Sequence, residues 1–276
     1  MNGERGIKLV LSDVDGTLLT SDKTVTQRSE AAVRELRNNG IAFAIASSRP
    51  PRGLVFIIEQ LEIDTPTGAF SGAMIVRPDL EIADRSLLSP SVAASVLEVL
   101  DAYKVERWVY CGMDWFVQDP ETPHALRETG VIRFSPRRVA DFESQMNKVA
   151  KIVGVMDDPV VMTRLEADLK REFAGRVSVS RSQPYYVDLT HPSANKGTVV
   201  DWLSMHMNIP PERIATIGDT TSDVPMFKRS GFRIAMGNAV PEVQAEADAV
   251  TSSNDDEGFA RAIEDHILPL ARLEAA

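Results

Sequence analysis

Ile7-Lys8-Leu9-Val10-Leu11-Ser12-Asp13-Val14-Asp15-Gly16-Thr17 is the stretch from which the fold can be read. The run up to Ser12 is short and mostly apolar, the composition of a strand buried on both faces. Asp13-Val14-Asp15-Gly16 ends it. Two carboxylates two residues apart at a strand end can take different roles if the chain turns between them, and Gly16 supplies such a turn. Taken alone, Asp15-Gly16 is equally well ordinary turn chemistry, where Asp and Gly concentrate. What else reaches the same sheet edge decides between the two readings.

Working outward, Val25 to Asn39 has Ala32, Val33 and Leu36 at helical spacing, with Gly40 as its C-cap. Ile41-Ala42-Phe43-Ala44-Ile45-Ala46 is a second buried-strand run and stops at Ser47-Ser48-Arg49. A helix around Arg52–Leu61 and a short strand near Gly68–Phe70 follow. Strand and helix alternating through short connections predict a parallel α/β sheet. The alternation resumes after Asn195-Lys196-Gly197: a helix to about Met207, the strand Ile214-Ala215-Thr216-Ile217 ending at Gly218-Asp219, a helix near Val224–Ser230, and Phe232-Arg233-Ile234-Ala235.

Between these halves the rhythm changes. Met74–Val76 and Glu81–Ala83 read as a hairpin through Pro78-Asp79. Helices are expected near 90–103, 137–150 and 159–173, with strands at Trp108–Tyr110, Trp115–Val117, Lys151–Val155 and Val177–Val179. The expected fold is therefore α/β, a Rossmann-like parallel-sheet core with an inserted α+β domain. The core is assigned to 1–85 and 190–276 and the insertion to 86–189.

Composition narrows the function. The chain has 276 residues and 30 Lys+Arg against 40 Asp+Glu, a net charge of −10. That balance speaks against nucleic acid or an anionic membrane as partner, since both attract a basic face. One cysteine, Cys111, excludes a disulfide framework, and no apolar run reaches the roughly 18 residues of a membrane span. The start is not a signal peptide, because Asp13 cuts its apolar stretch; a cytoplasmic protein is expected. Oligomeric state is not legible.

Open parallel sheets bind ligands beyond the carboxyl ends of their strands. Asp13/Asp15, Ser47/Ser48 and Asp219/Asp223 all sit at such ends, and Lys196 opens a helix of the same domain. Asp13 and Asp219 are hard oxygen ligands suited to Mg²⁺. Asp13 is also a plausible nucleophile toward phosphorus, with Asp15 as acid and then base. Ser47 and the Ser48 N–H can donate to phosphate oxygens, and Lys196 can neutralise a transferring phosphoryl group. Asp223 has a plain alternative as the N-cap of the next helix. Arg133, Arg137, Arg138, Lys148 and Lys151 form a basic run in the insertion that could grip a second anionic group or could be a solvated face.

The chain resembles haloacid dehalogenase (HAD) superfamily hydrolases of the Cof type with a C2-type cap. The resemblance rests on DVDGTLL at 13–19, AIASSR at 44–49, NKG at 195–197 and GDTTSDVPMF at 218–227, in that order, with MGNA at 236–239 and TSSNDDEGF at 251–259 in the tail. It implies a phosphatase that uses an aspartyl-phosphate intermediate. Asp13, Asp15 and Lys196 would be catalytic, and Ser47, Ser48, Arg49 and Gly72 would bind substrate. Mg²⁺ would be held by Asp13, the Asp15 carbonyl and Asp219, with Asp223 supporting it. Ser47 stands where the family usually has Thr, Ser48 where it has Gly, Ser71 and Ser222 where Asn is common. The implied substrate is a small phosphorylated metabolite such as a sugar phosphate. Alternatives are a phosphomutase, which needs convergent cap arginines, and a non-catalytic phospho-ligand-binding protein.

Overall fold

The structure, a computed structural model, describes residues 6–272, and the chain divides into two compact units. The first holds the described residues up to Ser47, then Val55–Ala83, and the described residues from Asn195 onward; the second holds Ser48–Leu54 and Asp84–Ala194. Ser48–Leu54 thus groups with the insertion rather than with the strand it follows.

The first unit is built on a five-stranded sheet in the order Ala249–Val250, Phe232–Ala235, Ile214–Gly218, Leu9–Ser12, Ala42–Ile45, and every pairing is parallel. Leu9–Ser12 lies inside the sheet, Leu9 paired with Ile214 on one side and with Ala42 on the other. Strands buried on both faces need apolar residues at every position, which is why the run shows no alternation. Leu9 and Leu11 join a core with Val199, Val200 and Leu203 of the Lys196–Met207 helix, together with Met226 and Phe227. Asn195 caps that helix by accepting from the Thr198 N–H. The Gln27–Asn38 helix, capped by Thr26, buries Ser29, Ala32, Val33 and Leu36 at the expected spacing. After Leu9–Ser12 the chain pairs first on one side, through Ala42–Ile45, and much later on the other, through Ile214–Gly218. The carboxyl end of the first strand is therefore a switch point in strand order, the usual place for a ligand. A three-stranded sheet, Thr67–Ala69, Met74–Val76 and Ile82–Arg85 in that order, contains the expected hairpin.

The second unit has a six-stranded sheet in the order Ser178–Gln183, Tyr186–Thr190, Lys151–Val155, Glu106–Cys111, Asp114–Val117, Arg137–Arg138. All its pairings are antiparallel except the last. One face, with Val109, Ile152, Val187 and Leu189, packs on the helices Pro90–Ala102 and Pro159–Glu172 through Val96, Leu100, Met162, Leu165 and Leu169. Alternation assigns Trp108, Tyr110, Lys151, Val153, Tyr186 and Asp188 to the opposite face.

Two expectations in this unit are corrected. No helix runs over 137–150; Arg137–Arg138 is a short strand beside Phe116–Val117, followed by a 3₁₀ turn at Glu143–Lys148. Val139, Phe142, Met146 and Val149 mimic a helical period, yet they reach the core from a loop and a turn. A helix at Pro123–Ile132 went unpredicted. Thr122 caps it and Pro123 occupies its first turn, both good start signals, but the interior Gly130 weakens the helical pattern.

Candidate active site

The carboxyl end of Leu9–Ser12 delivers Asp13 into the interior of the first unit, where its N–H donates to the Ile217 carbonyl at 2.9 Å. Lys196, the first residue of its helix, projects its Nζ to 2.6 Å from Asp13 Oδ1 and 2.6 Å from Asp223 Oδ1. Asp13 is 4% exposed, Lys196 3% and Asp223 fully buried. The plain alternative for Asp223 fails, because its side chain makes no N-cap hydrogen bond. Its Oδ2 instead accepts from the Asp219 and Thr220 N–H groups at 3.0 and 2.8 Å. With Oδ1 on Lys196 and Oδ2 on two amides, Asp223 fastens the lysine to the loop that carries Asp219.

Asp219 is oriented by Thr17 Oγ1, which donates to Oδ1 at 3.1 Å, and by Asn238 Nδ2, which donates to Oδ2 at 3.3 Å. Asn238 Nδ2 also donates to the Gly16 carbonyl at 2.9 Å. Gly16 has φ +86°, and a Cβ there would lie 2.3 Å from Asp219 Oδ2, so the turn after Asp15, packed against Asp219, admits only glycine. Asp15 immediately precedes Gly16 and pairs with Lys23 Nζ at 2.9 Å.

Crowding shifts the protonation of these groups. Burial raises the Asp13 carboxyl well above its usual range, Asp223 adds to the effect, and Lys196 opposes it. Asp219 is pushed up to about 6, by burial first and then by Asp223. Burial alone would lower the Lys196 pKa, but Asp13 and Asp223 outweigh it and hold the ammonium charged above its ordinary value. One fixed positive charge thus faces three acids, an arrangement that wants a further cation. Carboxylate oxygens of Asp13, Asp219 and Asp223 lie within 4.8 Å of one another. Such an all-oxygen set fits a hard divalent ion.

Ser47 is buried, its N–H donating to the Gly68 carbonyl and its own carbonyl accepting from the Ser71 N–H, each at 2.8 Å. Phe70, Ser71 and Gly72 all have positive φ, at 50°, 55° and 92°. A Cβ on Gly72 would lie 2.5 Å from the Asn195 carbonyl oxygen, so Gly72 is required by the close approach of the Lys196 helix start. That packing accounts for the glycine without any ligand. Ser48 and Arg49 fall in the second unit: the Ser48 carbonyl accepts from Lys151 Nζ at 3.2 Å, and Arg49 Nη1 donates to the Val131 carbonyl at 3.0 Å.

Three members of the basic run in the insertion have different partners. Arg137 pairs with Asp114 and Arg138 with Asp119, both arginines being largely exposed, whereas Lys151 is buried against Asp188. Thr17, Lys23 and Asn238 are site neighbours that sequence reasoning did not single out. Thr17 and Asn238 lay inside quoted motifs, DVDGTLL and MGNA; Lys23 had no signal.

Comparison with known proteins bears on the same residues. The family model of haloacid dehalogenase-like hydrolases matches residues 10–263, which takes in all four motifs. This chain belongs to that family. Among relatives of the hydrolase, phosphatase YwpJ of Bacillus subtilis is 27% identical over 291 aligned positions, covering 95% of this chain and 100% of that protein. The Bacillus subtilis 5-amino-6-(5-phospho-D-ribitylamino)uracil phosphatase YitU is 24% identical, covering 94% of this chain and 97% of its own. A haloacid dehalogenase-like hydrolase from Bacteroides thetaiotaomicron superposes with TM-score 0.85 at 28% identity, covering 94% of this chain and 99% of that one. A subclass IIB sugar phosphatase, BT4131, shares the fold with TM-score 0.82 at 19% identity, over 95% of this chain and 99% of that one. The expected HAD fold and hydrolase class are borne out. Among the described residues, no helix is long and apolar enough to cross a membrane.

Proposed function

We propose that this hydrolase is a Mg²⁺-dependent phosphatase that cleaves a small phosphorylated metabolite through a phosphoryl-Asp13 intermediate. The observation that carries the reading is the convergence of Asp13, Lys196, Asp219 and Asp223 at the switch point of the sheet, with Asp15 two residues beyond Asp13. Lys196 holds Asp13 Oδ1, which leaves Oδ2 to attack phosphorus in line. As the P–O bond to the leaving group breaks, Asp15 gives its proton to the departing oxygen. In the second step Asp15 takes a proton from water, whose oxygen attacks phosphorus and releases phosphate and free Asp13. Lys196 stays charged throughout and offsets negative charge building on the phosphoryl oxygens. Ser47, with the Ser48 N–H, donates to those oxygens. Mg²⁺, held by Asp13, Asp219 and the Asp15 carbonyl, would supply further charge neutralisation at the phosphoryl group.

The relatives support a small substrate, since one of them acts on a phosphorylated ribitylaminouracil by name. Hydrolysis is favoured over phosphoryl exchange by the insertion's arginines. Arg137 and Arg138, which could grip a second phosphate, are engaged by Asp114 and Asp119. The test is phosphate release by the purified protein with Mg²⁺ against a panel of phosphate monoesters, with Asp13→Asn as control. Turnover that persists in Asp13→Asn, or none with any ester, would refute the proposal.

A further inference from the structure

The charged pair Lys151–Asp188 lies in the second unit, and neither residue belongs to the four motifs. Lys151 and Asp188 sit on adjacent antiparallel strands as diagonal neighbours, because Lys151 pairs with Thr190 and Asp188 with Val153. Both point to the face opposite the helices, which brings Lys151 Nζ to 3.0 Å from Asp188 Oδ2, with the two side chains 9% and 5% exposed. Their neighbours on that face include Trp108 and Val153, both buried.

As a stabilising device the pair is poor. Two charges lose their hydration, and an apolar pair of similar size would serve a buried sheet face as well or better. Moreover, Asp188 Oδ1 is buried with no hydrogen-bond partner among the described residues. What the arrangement does achieve is to hold an ammonium group in one place. An ammonium has three protons to donate; one goes to Asp188 Oδ2 and another to the Ser48 carbonyl at 3.2 Å. Ser48 is bonded to Ser47, and the next residue, Arg49, is fastened by its Nη1 to the Val131 carbonyl at 3.0 Å and to the Gly53 carbonyl at 3.4 Å.

We propose that Lys151, held by Asp188, is a positioning residue: it clamps the Ser48 carbonyl and so fixes the Ser48–Arg49 peptide that follows the Ser47–Ser48 donors proposed to receive the phosphoryl group, while the peptide before it is held through the Ser47 carbonyl by the Ser71 N–H. The inference rests on the phosphatase reading for its consequence, though the clamp itself does not depend on it. Lys151 Nζ is engaged by Asp188 and the Ser48 carbonyl. It acts through the peptide plane that follows Ser48. Without it Ser47 stays tied to Gly68 and Ser71, but Ser48 is held from one side only, and phosphate binding weakens.

Two readouts separate the clamp from the activity. Lys151→Met strands a buried carboxylate and invites misfolding, so the double variant Lys151→Met/Asp188→Leu is made beside it. Tyr186→Phe is the control: Tyr186 lies on the same face two residues before Asp188 and donates to Glu128 Oε2 at 3.2 Å, not to Ser48. The first readout is amide hydrogen exchange without ligand. Exchange is expected to accelerate over 47–54 in the double variant, with the rest of the second unit unchanged, and to stay at the wild-type rate in Tyr186→Phe. The second is inhibition by inorganic phosphate, whose inhibition constant is expected to rise about tenfold or more, within the range produced by ångström-scale misplacement of a binding group. Unchanged exchange over 47–54, or equal acceleration in Tyr186→Phe, overturns the clamp whatever the activity. Faster exchange with an unaltered inhibition constant overturns its role in phosphate binding. A wild-type protein that releases no phosphate from any ester would sink the phosphatase reading and with it that role, while the exchange result judges the clamp independently.

Discussion

Lys196→Met should destabilise the first unit strongly and in a pH-dependent way. The Nζ lies 2.6 Å from both Asp13 Oδ1 and Asp223 Oδ1, and no side chain of the three is more than 6% exposed. Breaking a buried pair by removing one partner costs about 3–5 kcal/mol, because the charge left behind has lost its water. Here one ammonium serves two carboxylates, so the upper half of that range is expected when both are ionised. Protonation offers relief. Burial and Asp223 already raise the Asp13 carboxyl, and loss of Lys196 removes the main opposing influence. An acid with a raised folded-state pKa binds more protons folded than unfolded, between its unfolded value near 3.8 and its folded value. Across that window stability falls as pH rises. The deficit of the variant should therefore be largest near pH 8 and shrink toward pH 5. At about 2–4 °C per kcal/mol for a chain of this size, the Tm loss with both acids ionised is roughly 8–20 °C. Thermal unfolding followed by circular dichroism, with chelator present, measures it at pH 5 and pH 8. A loss below about 1 kcal/mol, or one equal at the two pH values, would refute the account of Lys196 as the shared counter-charge of two buried acids.

Other outcomes follow from the same site. Asp219, pushed up to about 6 by burial and then Asp223, must lose its proton to ligate a cation. Calorimetric Mg²⁺ affinity should therefore fall about tenfold between pH 7 and pH 5, and equal affinities would remove Asp219 from the ligand set. Gly72→Ala places a Cβ 2.5 Å from the Asn195 carbonyl at φ +92°. A loss of about 2–4 kcal/mol in urea denaturation is expected, and a neutral result would show that the helix start can retreat. Asp15→Asn should lower turnover of alkyl phosphates by about 10²–10⁴-fold, the usual weight of general acid–base catalysis; wild-type turnover would take Asp15 out of the mechanism.

The core was legible because its strands are buried on both faces. Leu9–Ser12, Ala42–Ile45 and Ile214–Gly218 read as unbroken apolar runs that end in Asp13, Ser47 and Asp219, so strand and site residue come from the same few letters. The insertion was harder. Its mostly antiparallel sheet packs helices against one face and carries mixed residues on the other, the buried Lys151 and Asp188 among them, so periodicity misleads. Val139, Phe142 and Met146 carry a helical spacing without a helix. The helix at Pro123–Ile132 was masked by Gly130.

Taken by itself, the amino-acid sequence determined that Asp13, Asp15, Lys196 and Asp219 belong to one α/β domain and that its chemistry suits phosphoryl transfer. That much depends on local order, because strand ends and helix starts are local features. Tertiary structure decided how the groups divide the work. Asp223 spends both oxygens on Lys196 and on the Asp219–Thr220 amides, which no spacing reveals. Gly72 answers to the Asn195 carbonyl, a contact across more than a hundred residues of chain. Lys151 looked like one member of a basic run, and became a buried ammonium between Asp188 and the Ser48 carbonyl. Each of these assignments depends on burial and on which atoms lie about 3 Å apart, and both are set by strands and loops far separated in sequence.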